Sequence, residues 1–259
     1  MIKSATFFAV ASVAFTFGCA SELETGSAEE IQEIQDNLVL AGFPADDIMV
    51  VDGMVYVGRD AHVTLEASRE MIASPVEGQE QYRTTNLVSL SHRKICVNPT
   101  SAFNSYSRLS NGLNAAIANF NAQPIVFDFA RGPTTGCTAN ISARTMSGVG
   151  GSAGFPSGGN PYGIINIGTG LQSYSAGVNE HVITHELGHT IGFRHSDYYN
   201  RAISCGSGGN EGTAGVGAIH IPGTPTTATV GGSLMNSCFR SSETGNFSSS
   251  DVTALNYLY

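Results

Sequence analysis

The 259-residue sequence contains no tryptophan, and only 13% of its residues are charged. No cluster of Lys or Arg occurs anywhere, so the chain offers no footing for nucleic-acid binding, which needs a basic face to meet phosphates. No C-x-x-C pair occurs, which weakens any cysteine-based metal site. The apolar run from Ala5 to Phe17, about 13 residues, is too short to span a bilayer comfortably. No internal repeat is found. What remains is 41% hydrophobic residues with 31 glycines, a composition that excludes a wholly disordered chain and fits a loop-rich, exported globular protein.

The few charges are unevenly placed. Residues 20–83 hold fourteen acids against Arg59, Arg69 and Arg83, whereas residues 84–259 hold seven acids against eight bases. An asymmetry this sharp marks residues 20–83 as a separate acidic unit. Ahead of it, Lys3, the short apolar run and the small residues Gly18, Cys19 and Ala20 form an export signal over residues 1–19. Two processing routes fit: ordinary cleavage near Ala20, or lipoprotein processing that leaves a lipid anchor on Cys19. Phe17 is bulky for the second. Without Cys19, four cysteines remain, an even number that favours two disulfides in an exported chain. Cys96–Cys137 and Cys205–Cys238 are the expected pairs, and free buried thiols are the alternative.

Within 20–83 the pattern predicts a helix over 28–41, a hairpin of Ile48–Val51 and Met54–Val57 around Asp52-Gly53, a second helix over 64–71 and a polar linker over 79–85. From Asn86 onward it predicts strands at 87–90, 94–97, 124–130, 138–146 and 162–167. Helices are expected over 105–121, 179–193 and 249–259. Residues 148–159 are a glycine-rich loop, and 200–233 are almost all loop.

The chemistry lies in residues 185–195, His-Glu-Leu-Gly-His-Thr-Ile-Gly-Phe-Arg-His. On a helix, residues four apart share a face, so His185 and His189 can aim two imidazoles at one metal ion. Glu186 stands beside them as general base for a water at the metal. Gly192 accepts the left-handed backbone that stops a helix, and the turn swings His195 back as third ligand. Three nitrogens and one open position make a catalytic zinc site.

These residues resemble the extended zinc signature of the metzincin metallopeptidases. Ser233-Leu234-Met235-Asn236 is similar to their methionine turn. More narrowly, the chain resembles the bacterial secreted dual-action HEIGH metallopeptidases, with Leu187 in place of the motif's Ile. The resemblance implies an α+β fold: a twisted mixed sheet with an active-site helix and a loop-rich C-terminal subdomain, preceded by a small α/β propeptide. It also implies one catalytic Zn2+, protein or peptide substrates, and a monomer. A structural Ca2+ has no support in the sequence. An extended substrate would add antiparallel to the edge strand upstream of the zinc helix, taken as 162–167, with the loop over 213–232 shaping the primed side. Residues 20–83 would be a removable propeptide, with Asp52 or Asp60 capping the zinc; a permanently attached N-terminal domain is the competing reading. Residues 84–259 would be the peptidase domain.

The chain departs from some metzincins in having Ser237 where a zinc-contacting tyrosine would stand. Asp197 is a candidate to orient a ligand histidine, against a plain loop acid. His181, one turn before His185, is read as structural. Glu211 and Glu243 would matter only if the third ligand were a downstream glutamate. Gly150 to Gly154 matches the G-x-S-x-G elbow of serine hydrolases, but no helix can follow in Phe155-Pro156-Ser157-Gly158-Gly159. The expectation is therefore a secreted zinc endopeptidase. A zinc hydrolase of other substrates and an inactive surface lipoprotein are the alternatives.

Overall fold

The computed structural model describes residues 25–73, 82–212 and 218–259. The expected export segment with Cys19 lies outside these residues, as do part of the 79–85 linker and part of the 213–232 loop. Among the described residues, no helix is long and apolar enough to cross a membrane.

The acidic unit opens with α1 (Ala28–Leu40). Ser27 caps it: its hydroxyl accepts from Glu30 N–H at 3.2 Å, and the Glu30 carboxylate accepts from Ser27 N–H at 2.7 Å. Such a reciprocal cap contributes about 1 kcal/mol. Next, β1 (Met49–Val51) and β2 (Met54–Val57) form the expected hairpin. Asp52 and Gly53 turn it at φ 51° and 75°, both left-handed as a tight hairpin requires. β3 (Ala61–Val63), which the pattern does not predict, pairs antiparallel with β2, and α2 (Leu65–Ala73) closes the unit. Ile34, Leu38, Val55, Val57, Val63 and Met71 form a core of their own that takes in one buried residue from the rest of the chain, Phe155.

The larger unit contributes β4 (Tyr82–Arg83), β5 (Lys94–Pro99), α3 (Ser101–Ser105), α4 (Ser107–Asn121), β6 (Asp128–Arg131) and β7 (Ala139–Met146). β8 (Gly151–Gly154), β9 (Ile164–Gly168), a 3-10 turn over Thr169–Ser173 and α5 (Ala176–Thr190) follow. The chain ends with α6 (Ala202–Cys205), β10 (Ile219–His220) and α7 (Ser249–Leu258). One eight-stranded mixed sheet runs β1-β2-β3-β8-β9-β7-β5-β6. β5, β6, β7 and β9 are parallel neighbours, β8 is antiparallel to β9, and β3 joins β8 in parallel. Ile95, Val97, Phe129, Ile141 and Ile165 from the sheet pack against Leu109 and Leu113 of α4 and Ile183 and Leu187 of α5 in the main core. Gly112 lets the two helices close, because a Cβ there would stand 3.1 Å from Asn179. Both expected disulfides form, Cys96–Cys137 and Cys205–Cys238.

Several expectations are corrected. No strand forms at 87–90. The helix expected over 105–121 is preceded by a separate turn of helix, the two meeting at Tyr106. Tyr82 and Arg83 are not linker: they pair with β10, and Tyr82 stacks on Tyr198 with ring centroids 4.0 Å apart. A buried aromatic anchor stands there inside a polar stretch. The glycine-rich segment is not all loop, since it contains β8. Its small residues have a steric reason: side chains at Gly151 and Gly154 would collide with Glu186 and with Tyr162. The segment 162–167 is not the sheet edge, because β9 lies between β8 and β7. Within the larger unit β8 holds the edge position, and β3 covers it.

Candidate metal centre

α5 carries the motif and begins at Ser175, whose hydroxyl accepts from Val178 N–H at 3.2 Å. It is buried almost all round, so its polar residues need partners inside the protein. The helix stops before Gly192, at φ 106°, where a side chain would collide with the carbonyl of Asn86. The chain turns there as expected and brings His195 back to His185 and His189.

Each of the three rings is fixed by its Nδ1. That of His185 meets the Leu234 carbonyl at 2.8 Å, and that of His189 the Phe193 carbonyl at 2.8 Å. That of His195 meets the Glu211 carboxylate at 2.7 Å. Carbonyls and carboxylates only accept, so each Nδ1 carries a proton, and in the neutral ring that a metal requires each Nε2 presents a lone pair. Those lone pairs converge: His185 Nε2 lies 3.0 Å from His189 Nε2 and 3.2 Å from His195 Nε2. Three such lone pairs repel unless a cation sits among them. The spacing matches a tetrahedral edge of roughly 3.3 Å for zinc–nitrogen bonds of about 2.0 Å.

Asp60 enters from the loop between β2 and β3. Its Oδ2 lies 3.2 Å from His195 Nε2 and 3.8 Å from His185 Nε2, and its Oδ1 lies 3.8 Å from His189 Nε2. Ligand atoms of Asp60, His185, His189 and His195 all fall within 4.8 Å of one another, a spread that can hold a metal ion. Oδ1 of Asp60 and Oε2 of Glu186 are buried without a hydrogen-bond partner, as expected of carboxylates facing an ion and its ligands. Burial works to raise the Asp60 carboxyl, yet the surrounding imidazoles hold it well below its ordinary value. Burial and the facing Asp60 charge push the Glu186 carboxyl well above its own. Burial, with the neighbouring His185 ring, keeps the His189 imidazole well below the usual range and hence neutral, the form a ligand needs.

The remaining candidates fall elsewhere. Asp197 does not touch the three converging histidines; its carboxylate accepts from Ser204 Oγ and, at 2.8 Å, from Ser237 Oγ. Glu211 takes the orienting position behind His195. Burial would raise its carboxyl, but His195 and Arg194 hold it below the ordinary value. Its signal was thin, a lone acid in a stretch without periodicity. Glu243 lies 2.7 Å from Arg240 and 3.7 Å from His181, away from the ligand set. Ser237, committed to Asp197, adds no ligand. Met235 lies under α5, its Sδ filling the space that a side chain at Gly188 would need. Its turn is tied to the last helix, since Asp251 accepts from Leu234 N–H at 3.0 Å.

Beside Glu186 lies a cavity of about 300 Å3 lined by Asp60, His181, His185, Arg201 and Phe239 among others.

A family model described as dual-action HEIGH metallo-peptidase matches residues 55–259. No curated protein matches the chain. Among solved structures, a crystal structure of myroilysin is 14% identical over 65% of this chain and 84% of that one, with a TM-score of 0.41. A second myroilysin structure is 15% identical over 64% and 92% of the two chains, also with a TM-score of 0.41.

Proposed function

The chain belongs to the dual-action HEIGH metallopeptidase family, and on that premise we propose that it is a secreted, metzincin-type zinc endopeptidase made as a latent precursor. His185, His189 and His195 hold the ion, and Glu186 is the general base. One observation carries this reading: three imidazole Nε2 atoms meet beside a buried Glu186 carboxylate oxygen that has no partner. A purely structural zinc would have no use for that carboxylate.

Zinc held there supplies Lewis acidity, to the attacking water and to the scissile carbonyl. The rest falls to the chain. Glu186 takes the water's proton and later passes it to the leaving amine, a role suited to a carboxyl raised by burial. Glu211, Phe193 and Leu234 keep the three rings in one tautomer. β8 gives an extended peptide a strand to pair with, by β-augmentation.

Most of residues 20–83 is the prosegment, following the signal of 1–19 and preceding the peptidase domain of 84–259, with Tyr82 and Arg83, paired with β10, staying on the peptidase side. The reading is supported by β3, which lies on β8 and so fills the substrate's place, and by Asp60, which stands at the ligand nitrogens in place of water. β3 runs parallel to β8, opposite to a peptide bound antiparallel, so the prosegment lies backwards in the cleft. Two disulfides fit an oxidising compartment.

The test is cleavage of an unfolded protein by the full chain after its prosegment has been cut, beside the Glu186→Ala variant. Loss of cleavage in the variant with zinc still bound is expected. Equal behaviour of the two would remove the peptidase assignment.

A further inference from the structure

One cation in the cleft has no part in the reaction described above. Arg201 follows His195 by six residues and lines the cavity beside Glu186. Its Nη1 donates to Glu211 Oε1 at 3.2 Å and, by a short contact, to the carbonyl of Gly58. Gly58 belongs to the prosegment and stands two residues before Asp60. Its own N–H donates to the Asp47 carboxylate at 3.1 Å; burial and the Glu211 charge raise that carboxyl, and Arg201 and Arg194 work against them. In the latent chain, then, the prosegment supplies both an acceptor for Arg201 and a balancing charge.

We propose that Arg201, uncovered when the prosegment leaves, selects substrates with Asp or Glu at the first or second position after the scissile bond. The proposal rests on the peptidase reading and on peptide pairing antiparallel to β8. The position follows from direction. The prosegment passes the metal site from Gly58 to Asp60 and then runs parallel to β8. A substrate running the other way puts its residues after the scissile bond where Gly58 and Arg59 lie.

The charge follows from what departs. With the prosegment go Asp47 and Asp60, and with them the Arg59 cation of the same cavity, so one negative charge is lost on balance. Glu211 stays, but it is shared among His195, Arg194 and Arg201. The nearby Asp197 is committed to Ser204 and Ser237. A substrate carbonyl would replace the Gly58 acceptor but not the lost negative charge. A carboxylate does both, and a guanidinium fork binds it through two parallel hydrogen bonds.

The experiment uses the full chain, expressed whole, loaded with zinc and nicked to release the prosegment. Peptide pairs differ only by Asp against Asn, or Glu against Gln, at the first two positions after the cut. Expected is a preference in kcat/KM of about tenfold or more for the acid, the scale of one charge-assisted hydrogen bond. Arg201→Gln should collapse that ratio towards one, and Arg201→Lys should keep part of it. Binding of the same peptides to the Glu186→Gln protein, which cannot cut, should follow the same order. Equal cleavage and equal binding of acid and amide would overturn the role of Arg201 while leaving the peptidase standing. Failure of the zinc-loaded, nicked chain to cut any peptide would sink both.

Discussion

Asp60 Oδ2 lies 3.2 Å from His195 Nε2, bringing a residue of the acidic N-terminal unit into the ligand cluster of the larger one. The backbone bends to allow it. Gly58 and Arg59 both sit in the left-handed region, at φ 62° and 79°, a conformation that costs an ordinary side chain about 1–2 kcal/mol. A side chain at Gly58 would crowd Glu211, at 2.9 Å. Such a strained strap is kept when its end has a task.

If that task is latency, the full chain carrying Asp60→Ala should cut an unfolded protein before any processing, at least about tenfold faster than the unprocessed parent. The scale is that of one buried charged contact. Time courses read alongside gels of chain length separate this from faster processing. An unprocessed variant as silent as its parent would remove Asp60 as the cap.

Glu211 and Asp197 are both buried acids downstream of His195, and only Glu211 touches the ring. Removing a carboxylate that orients a ligand histidine costs about 10–100-fold in metal affinity. Competition with a chelator should show that loss in Glu211→Gln. Asp197→Asn should instead lower thermal stability by about 1–3 kcal/mol through its serine partners, with zinc affinity near that of the parent. The reverse pattern would hand the orienting role back to Asp197.

Much of this architecture was legible in the sequence because it rests on local rules. Asp52-Gly53 dictates its hairpin, Gly192 its helix stop, and the spacing of His185, His189 and His195 its convergence. What escaped depends on contacts between distant segments. β8 is poor in strand formers because Glu186 and Tyr162 leave no room for side chains over Gly151 and Gly154, so steric need looks like a loop. Tyr82 pairs across the chain with β10, and no local pattern reports a partner so far away. Glu211 reaches His195 from an aperiodic stretch. Asp197, nearer in sequence, is the candidate that the pattern offers, and its carboxylate goes to Ser204 and Ser237 instead.

Metal removal should be felt as instability. Stripped of an ion, the site leaves three Nε2 atoms within 3.0–3.2 Å along two of their edges, with Asp60 and Glu186 oxygens unpaired. Binding only to the folded state stabilises by about 4 kcal/mol when free metal stands at 1,000 times its dissociation constant. Differential scanning of the chelated full chain should therefore show a lowered midpoint, restored by zinc and not by magnesium, whose preference is for oxygen ligands. An unchanged midpoint would mean that the cluster binds no ion tightly.

Gly151 and Gly188 lie on two sides of the motif, and alanine at each should fail differently. At Gly188, in the middle of α5, a Cβ would stand 2.7 Å from Met235 Sδ. The methionine is buried, so the helix must ride up from its support, and overpacking of this kind costs about 1–3 kcal/mol. At Gly151, on β8, the added carbon would meet the Glu186 carboxylate itself. A side-chain end yields more cheaply than backbone, so Gly151→Ala should fold and bind zinc. On the proposed mechanism, however, the displaced carboxylate would no longer be where the water's proton goes, and loss of a positioned base costs about 10²–10⁴-fold in rate. Thermal midpoint and kcat, measured on the nicked chain for both variants, separate the two: stability falls with Gly188→Ala and turnover with Gly151→Ala. Should Gly151→Ala keep full turnover with Glu186 so crowded, the carboxylate could not be the base.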